Sequence, residues 1–129
     1  MLSTNSQSTS EPAPKRRFDF EDRAFRFAKD VRSFIYTLPR SIANNEDIKQ
    51  LVRSSGSIGA NYIEANESLG KKDFVMHLKI ARKEAKETVY WLKLLDSGTS
   101  KDSGKEGYRL ECEATELMLI LSAMIRKAS

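Results

Sequence analysis

The sequence predicts an all-α protein that folds as an antiparallel up-and-down four-helix bundle. Apolar residues recur in steps of three and four along four separate segments, which is the spacing of one face of a helix. The chain has six glycines and three prolines, which leaves few turn residues for an architecture of many short strands. A length of 129 residues is enough for one hydrophobic core, so one helical domain is expected.

The first helix is predicted from about Phe20 to Pro39, where proline ends it. Its apolar face is expected to comprise Ala24, Phe27, Val31, Phe34 and Leu38. The next segment supplies asparagines before a new apolar series, which is how a helix is often capped. We therefore expect the side chain of Asn44 or Asn45 to accept from free backbone N–H groups at the start of helix two.

Helix two is predicted to end at Gly70 in a C-terminal cap. Its apolar face is expected to comprise Ile48, Leu51, Ser55, Ile58, Tyr62, Ala65 and Leu69. Residues 54–60 are mostly serine, glycine and alanine, and each interior glycine costs up to about 1 kcal/mol relative to alanine. The interpretation is that small side chains allow a neighbouring helix to approach closely here.

The third and fourth helices have longer apolar repeats. The core face of helix three is expected to comprise Phe74, Leu78, Ala81, Ala85, Thr88, Leu92 and Leu95. After a turn-rich segment, helix four is predicted over about 105–127. Its core face is expected to comprise Leu110, Ala114, Leu117, Leu121 and Met124.

The chain divides into a tail and one domain. Residues 1–17 are polar and are predicted to be a disordered tail, whereas 18–129 form the bundle domain. The single cysteine, Cys112, cannot form an internal disulfide, which is typical of a reducing compartment. No apolar run is long enough for a signal peptide or a membrane span, so no membrane association and a cytoplasmic location are expected.

Helix three carries a second face beside its core face. This second stripe consists of His77, Ile80, Glu84, Glu87, Trp91 and Leu94. Because the stripe is partly apolar, it is expected to need a partner of its own. Beside it, four lysines at seven-residue intervals form a positive row about 30 Å long that faces water or phosphate. These are Lys72, Lys79, Lys86 and Lys93.

Three explanations compete for the glutamates of this stripe. A di-iron carboxylate site would need two Glu-x-x-His motifs, but His77 is the one histidine of the chain and Phe74 stands three residues before it. Acid–base catalysis by Glu84 and Glu87 lacks a nucleophile, a glycine-rich phosphate loop and a second histidine. The favoured explanation is structural: the glutamates pair with a basic residue or accept hydrogen bonds from polar neighbours. The expected partners are Arg53, Arg82 or Lys86, or Asn61, Tyr62 and the indole N–H of Trp91. We therefore expect no enzymatic activity, no metal and no cofactor.

Several segments together resemble the 23S rRNA intervening-sequence protein family, also called S23-like. They are Arg26 with Phe34 and the Leu38–Pro39 pair, the segment "LVRSSGSIGANYIEA" and the segment "KDFVMHLKIARKEAKETVYWLKLL". The family-motif residues and expected subunit contacts are Arg53, Asn61, Glu64, His77, Ile80, Glu84, Glu87, Trp91 and Leu94. The resemblance covers about residues 20 to 125.

The resemblance implies a four-helix bundle that forms a ring, typically a homopentamer. Related bundles act as accessory proteins of retroelement reverse transcriptases and bind nucleic acid and the polymerase through a basic ring. The leading hypothesis is a non-enzymatic scaffold that binds RNA or DNA through Lys72, Lys79, Lys86, Lys93, Arg26 and Arg32. The alternative is a protein-interaction module that recruits a partner such as a polymerase, with lysines that serve solubility.

Overall fold

The computed structural model describes residues 16–129, which form four helices joined by short connections. They are α1 (Arg16–Ile35), α2 (Ile42–Asn66), α3 (Lys71–Leu94) and α4 (Lys101–Ala128). Within this part of the chain every regular element is a helix, which confirms the predicted all-α bundle. Helix α1 already includes Arg16 and Arg17, and residues 1–15 of the predicted tail lie outside the described residues.

The four helices are arranged in a closed cycle. Each helix packs against its neighbours in the chain, and α4 returns to pack against α1, so that α1 and α3 lie diagonally opposite each other. Helices α1 and α4 run antiparallel, because Arg23 in α1 contacts Glu113 whereas Thr37, just after the end of α1, contacts Ser103. This order decides which charged faces can meet in one copy of the chain.

The core confirms most of the predicted apolar faces. The predicted apolar faces of helices one to three are buried except at their ends, where Leu69 is exposed and Phe74 and Leu95 are half-buried. In α4 the buried residue near the C-terminus is Ile125, and Met124 packs half-buried beside it. The largest fully buried apolar side chains are Phe27, Val31, Leu51, Ile58, Leu78, Leu110, Leu117 and Leu121.

The small residues of α2 lie where neighbouring helices come close. A Cβ placed at Gly59 would lie 3.4 Å from the Cβ of Ala24 in α1, which confirms the predicted close approach. On the other side, the hydroxyl of Thr88 in α3 donates to the buried hydroxyl of Ser54 at 2.8 Å. These small residues therefore let α2 pack tightly against α1 and α3.

The start of α2 differs from the prediction. The N-cap is Ser41, whose hydroxyl accepts from the backbone N–H of Asn44 at 3.0 Å. Asn44 is buried inside the helix, and its amide donates to the carbonyls of Pro39 and Asp96. Its own carbonyl oxygen accepts from the N–H of Asp96. The prediction of an Asn44 or Asn45 cap was wrong, because Asn44 instead joins α2 to the connection that precedes α4.

The end of α2 also differs. The helix ends at Asn66, so Leu69 falls in the connection and is fully exposed rather than part of the core face. Gly70 is the N-cap of α3, not the C-cap of α2. Helix α4 begins at Lys101, four residues before the predicted start, because Ser100 caps it by accepting from the N–H of Ser103.

Candidate functional site

The predicted lysine row lies on the solvent side of α3. All four of its members are exposed: Lys72, Lys79, Lys86 and Lys93. Two further exposed residues, Lys83 and Tyr90, lie among them on the same arc of the helix. We call these six residues the basic stripe.

The lysines of the basic stripe are not used in ion pairs. Among residues 16–129, none of these five lysines has its amino group within 4.0 Å of a carboxylate. A surface of lysines that are not paired with carboxylates attracts anions such as phosphates, and salt weakens this attraction. The stripe therefore has the charge that a phosphate-binding surface requires.

The two predicted arginine contacts lie elsewhere. Arg26 and Arg32 are exposed on α1, which is diagonally opposite α3 in the bundle. Arg26 already pairs with Asp22 at 2.9 Å, and Arg32 donates to the carbonyl of Ala28 at 3.0 Å. Within one copy of the chain, these arginines therefore do not join the basic stripe.

The glutamates of the second stripe pair with α2. One guanidinium nitrogen of Arg53 lies 3.3 Å from Glu84 Oε1, and another lies 3.2 Å from Glu87 Oε1. Glu84 is 7 % exposed, whereas the side chain of Arg53 is 51 % exposed. This is one of the pairings that the structural explanation predicts, whereas the predicted hydrogen bond from the indole N–H of Trp91 is not formed within residues 16–129. Arg53 thus offsets part of the negative charge of the two carboxylates next to the basic stripe.

The remaining residues of the family motif are scattered over the α2–α3 side. Asn61 donates to the carbonyl of Ser57 within its own helix, and Glu64 is exposed. Ile80 is half-buried, and Leu94 is 49 % exposed. Helix α2 therefore covers this side of α3 incompletely.

Two residues of the second stripe have buried polar atoms without a partner. The indole N–H of Trp91 and Nδ1 of His77 are inaccessible to solvent and form no hydrogen bond within the described residues. Glu84 Oε1 contacts Arg53 but is not aligned for a hydrogen bond. Buried polar atoms usually have partners, so this side of α3 is less completely satisfied than the core.

At the contact between α1 and α4, which we call the α1–α4 seam, the arginines are paired with carboxylates. Arg23 forms two hydrogen bonds with Glu113, at 2.6 and 2.9 Å, which raise the pKa of Arg23. Arg109 donates to Glu106 and to Asp30, and these hydrogen bonds raise the pKa of Arg109. In return, Arg109 lowers the pKa of Glu106. The cations of this seam hold the helices together.

Sequence reasoning identified the row of four lysines but missed Lys83 and Tyr90. Neither residue follows the seven-residue interval, and the exposed arc of α3 is defined only once α2 and α4 are in place. With Lys79, Arg82, Lys86 and Glu87, they line one shallow depression.

No group of three or more metal-ligating His, Cys, Asp or Glu side chains is found in residues 16–129. None of the four helices is long and apolar enough to cross a membrane.

Comparison with known proteins identifies the family. Residues 16–123 match the family model described as 23S rRNA-intervening sequence protein. The chain belongs to this family. It is also similar to the crystal structure of a protein of unknown function from the S23 ribosomal protein family of Bacteroides thetaiotaomicron VPI-5482. The identity is 29 % over 87 % of this chain and 99 % of the other, with a TM-score of 0.69. No curated protein matches the chain.

Proposed function

We propose that this member of the 23S rRNA-intervening sequence protein family is a non-enzymatic accessory protein that binds RNA or DNA through the basic stripe of α3. The observation that carries the proposal is the set of exposed stripe lysines without carboxylate partners among the described residues. Phosphate contacts by lysine and arginine supply most sequence-independent affinity for nucleic acid. The proposal assigns this contact to the lysines of α3 and not to Arg26, which Asp22 already holds.

The proposal includes assembly into a ring of identical subunits, a pentamer by the family resemblance. Leu94 and Met76 are about half exposed on α3, and the indole N–H of Trp91 has no partner. These features support a subunit contact on this side of the helix. Five copies of a chain of charge +4 would carry +20, which would turn a modest monomer charge into a strong field for phosphates.

Titration of a labelled oligonucleotide with the purified chain tests the proposal. Three phosphate contacts on a single strand predict an affinity loss of about 20-fold when salt rises from about 50 to about 200 mM. Light scattering on the same samples gives the oligomeric state. Absence of any association at the lower salt would contradict nucleic-acid binding, and a monomer at all concentrations would contradict the ring.

A second candidate function is a protein-interaction module in the cytoplasm that recruits a polypeptide such as a polymerase. The observation that favours it is an apolar groove between α1 and α2, lined by Ala28, Gly59 and Ala60. Phe25 and Ile63 stand exposed at this groove. Affinity capture with and without nuclease separates the two functions, because a partner held by protein contacts stays bound after the nucleic acid is digested.

A further inference from the structure

We infer that the basic stripe binds single-stranded nucleic acid, with Tyr90 as a stacking platform for one base and Lys79, Lys83 and Lys86 as phosphate contacts. This inference rests on the proposed function and adds the class of ligand and the residue that selects it. The four residues lie at positions i, i+4, i+7 and i+11 of α3, so they share one side of the helix. They span about 16 Å along its axis.

Tyr90 is placed to receive a base. The residue is 58 % exposed, although tyrosine has a large apolar surface that is often buried. The ring contacts Trp91 edge to face, with centroids 5.2 Å apart and an interplanar angle of 72°. Trp91 is half-buried, so its contact holds the Tyr90 ring against the helix surface. Tyr90 nevertheless remains more than half exposed to solvent. An exposed ring held beside lysines is the combination that single-strand binders use.

The acidic residue of this depression does not oppose a phosphate. Glu87 lines the depression with the lysines, but its carboxylate is held at 3.2 Å by Arg53 from α2. Arg82, which also lines the depression, lies 3.5 Å from the hydroxyl of Ser122 and contacts no carboxylate among the described residues. The local charge therefore stays positive along the strand path.

The shape of this surface favours a single strand over a duplex. In a duplex the bases are paired and stacked on each other, so an exposed tyrosine ring has no free base face to contact. A helix that reads a duplex enters the major groove, which is about 12 Å wide. Helix α3 is flanked by α2 and α4 on both sides of its exposed arc, so it does not protrude as such a helix must.

The inference also predicts little sequence preference. The stripe contains lysines and one tyrosine, and it lacks the asparagine and glutamine side chains that read adenine edges. Stacking accepts every base, because each base has a π face. Affinities for single strands of different composition are therefore expected to agree within a few-fold.

The test measures fluorescence anisotropy of labelled single-stranded and duplex oligonucleotides with the full chain and two variants of Tyr90. Tyr90→Leu is expected to weaken single-strand binding about tenfold, the effect of losing one stacked base. Tyr90→Phe keeps the ring and is expected to bind like the parent chain. The matched control is Tyr36→Leu, because Tyr36 is 81 % exposed and follows α1, which is diagonally opposite α3.

Each outcome decides the inference. The inference is supported if Tyr90→Leu loses affinity for the single strand while Tyr90→Phe and Tyr36→Leu do not, and if the parent chain binds the duplex more weakly than the single strand. Equal affinity of Tyr90→Leu and the parent chain, or tighter binding of the duplex, overturns it and leaves the proposed function standing. No binding of any nucleic acid overturns both. A changed molar mass of Tyr90→Leu in light scattering would place Tyr90 in a subunit contact and overturn the inference as well.

Discussion

The basic stripe of α3 and the α1–α4 seam both carry cations, but the two regions use them differently. In the seam, Arg23 and Arg109 donate to carboxylates of neighbouring side chains at 2.6 to 2.9 Å. In the stripe, no lysine reaches a carboxylate among the described residues. The arginines of the α1–α4 seam are therefore paired within the bundle, whereas the lysines of the basic stripe remain available to an external anion.

Arg53 shares a feature with each region: it is paired with carboxylates, like the seam arginines, and it is exposed, like the stripe lysines. It belongs to the α2–α3 contact and pairs with Glu84 and Glu87, yet its side chain is 51 % exposed beside the stripe. It both stabilises the bundle and offsets part of the negative charge beside the proposed strand path. The comparison between seam and stripe can therefore be tested by substitutions that separate stability from binding.

The largest expected effect is on binding. Replacing Lys79, Lys83 and Lys86 with Gln removes three phosphate contacts and should weaken single-strand binding at low salt by at least about 20-fold. The midpoint of thermal unfolding should stay within about 2 °C, since surface changes away from pairs cost little. Anisotropy and thermal denaturation measure the two quantities.

The matched control for this triple variant removes the same charge elsewhere. Lys49, Lys101 and Lys105 are exposed on α2 and α4, outside the stripe. Their joint replacement with Gln should change the affinity less than about threefold, because an effect of net charge alone is spread over the surface. Equal losses in the two triple variants would show that the stripe is not a distinct site.

The next effect is on stability. Arg53→Met leaves the buried carboxylate of Glu84 without its cation and should lower the free energy of unfolding by about 1–2 kcal/mol. Adding Glu84→Leu should recover most of this loss, because no charge is then buried unpaired. Denaturant titration measures all three chains. Lys86→Met, an exposed position without a carboxylate partner, is the control and should leave the free energy of unfolding unchanged.

Substitution of two glycines by alanine compares the packing of the α1–α4 seam with that of the α1–α2 contact. A Cβ at Gly56 would meet only the flexible end of Arg32 at 3.4 Å, so Gly56→Ala should stabilise the protein by about 0.5–1 kcal/mol. A Cβ at Gly107 would lie 3.1 Å from the ring of Phe34 in the seam. Gly107→Ala should therefore give no such gain, and an equal rise in both thermal midpoints would contradict tight packing there.

The smallest effect is the pH dependence of the seam. Because Arg109 holds the pKa of Glu106 below its ordinary value of 4.5, folding favours the ionised form. This stabilisation is complete above about pH 4.5 and is lost as the pH falls through the lower, folded-state pKa. Glu106→Gln should cost at most about 1 kcal/mol at pH 7 and nothing in strong acid. A cost that is equal at both pH values would contradict this origin.

The sequence predicted the helices because their apolar spacing depends on local geometry alone. It misplaced the cap of α2, because the choice between Ser41 and Asn44 depends on Asp96, which is distant in sequence. It grouped Arg26 with the lysines of α3, because composition does not reveal which helices are diagonal. It missed Tyr90 for a similar reason, since exposure of this arc is decided by how α2 and α4 flank α3.

Lysine acetylation with and without a saturating single-stranded oligonucleotide, read by mass spectrometry, tests the central claim most directly. The proposed site predicts that Lys79, Lys83 and Lys86 are protected by the oligonucleotide, whereas Lys49 and Lys101 react at the same rate in both samples. Uniform rates at all lysines, or protection confined to lysines outside α3, would contradict the assignment of nucleic-acid binding to this stripe.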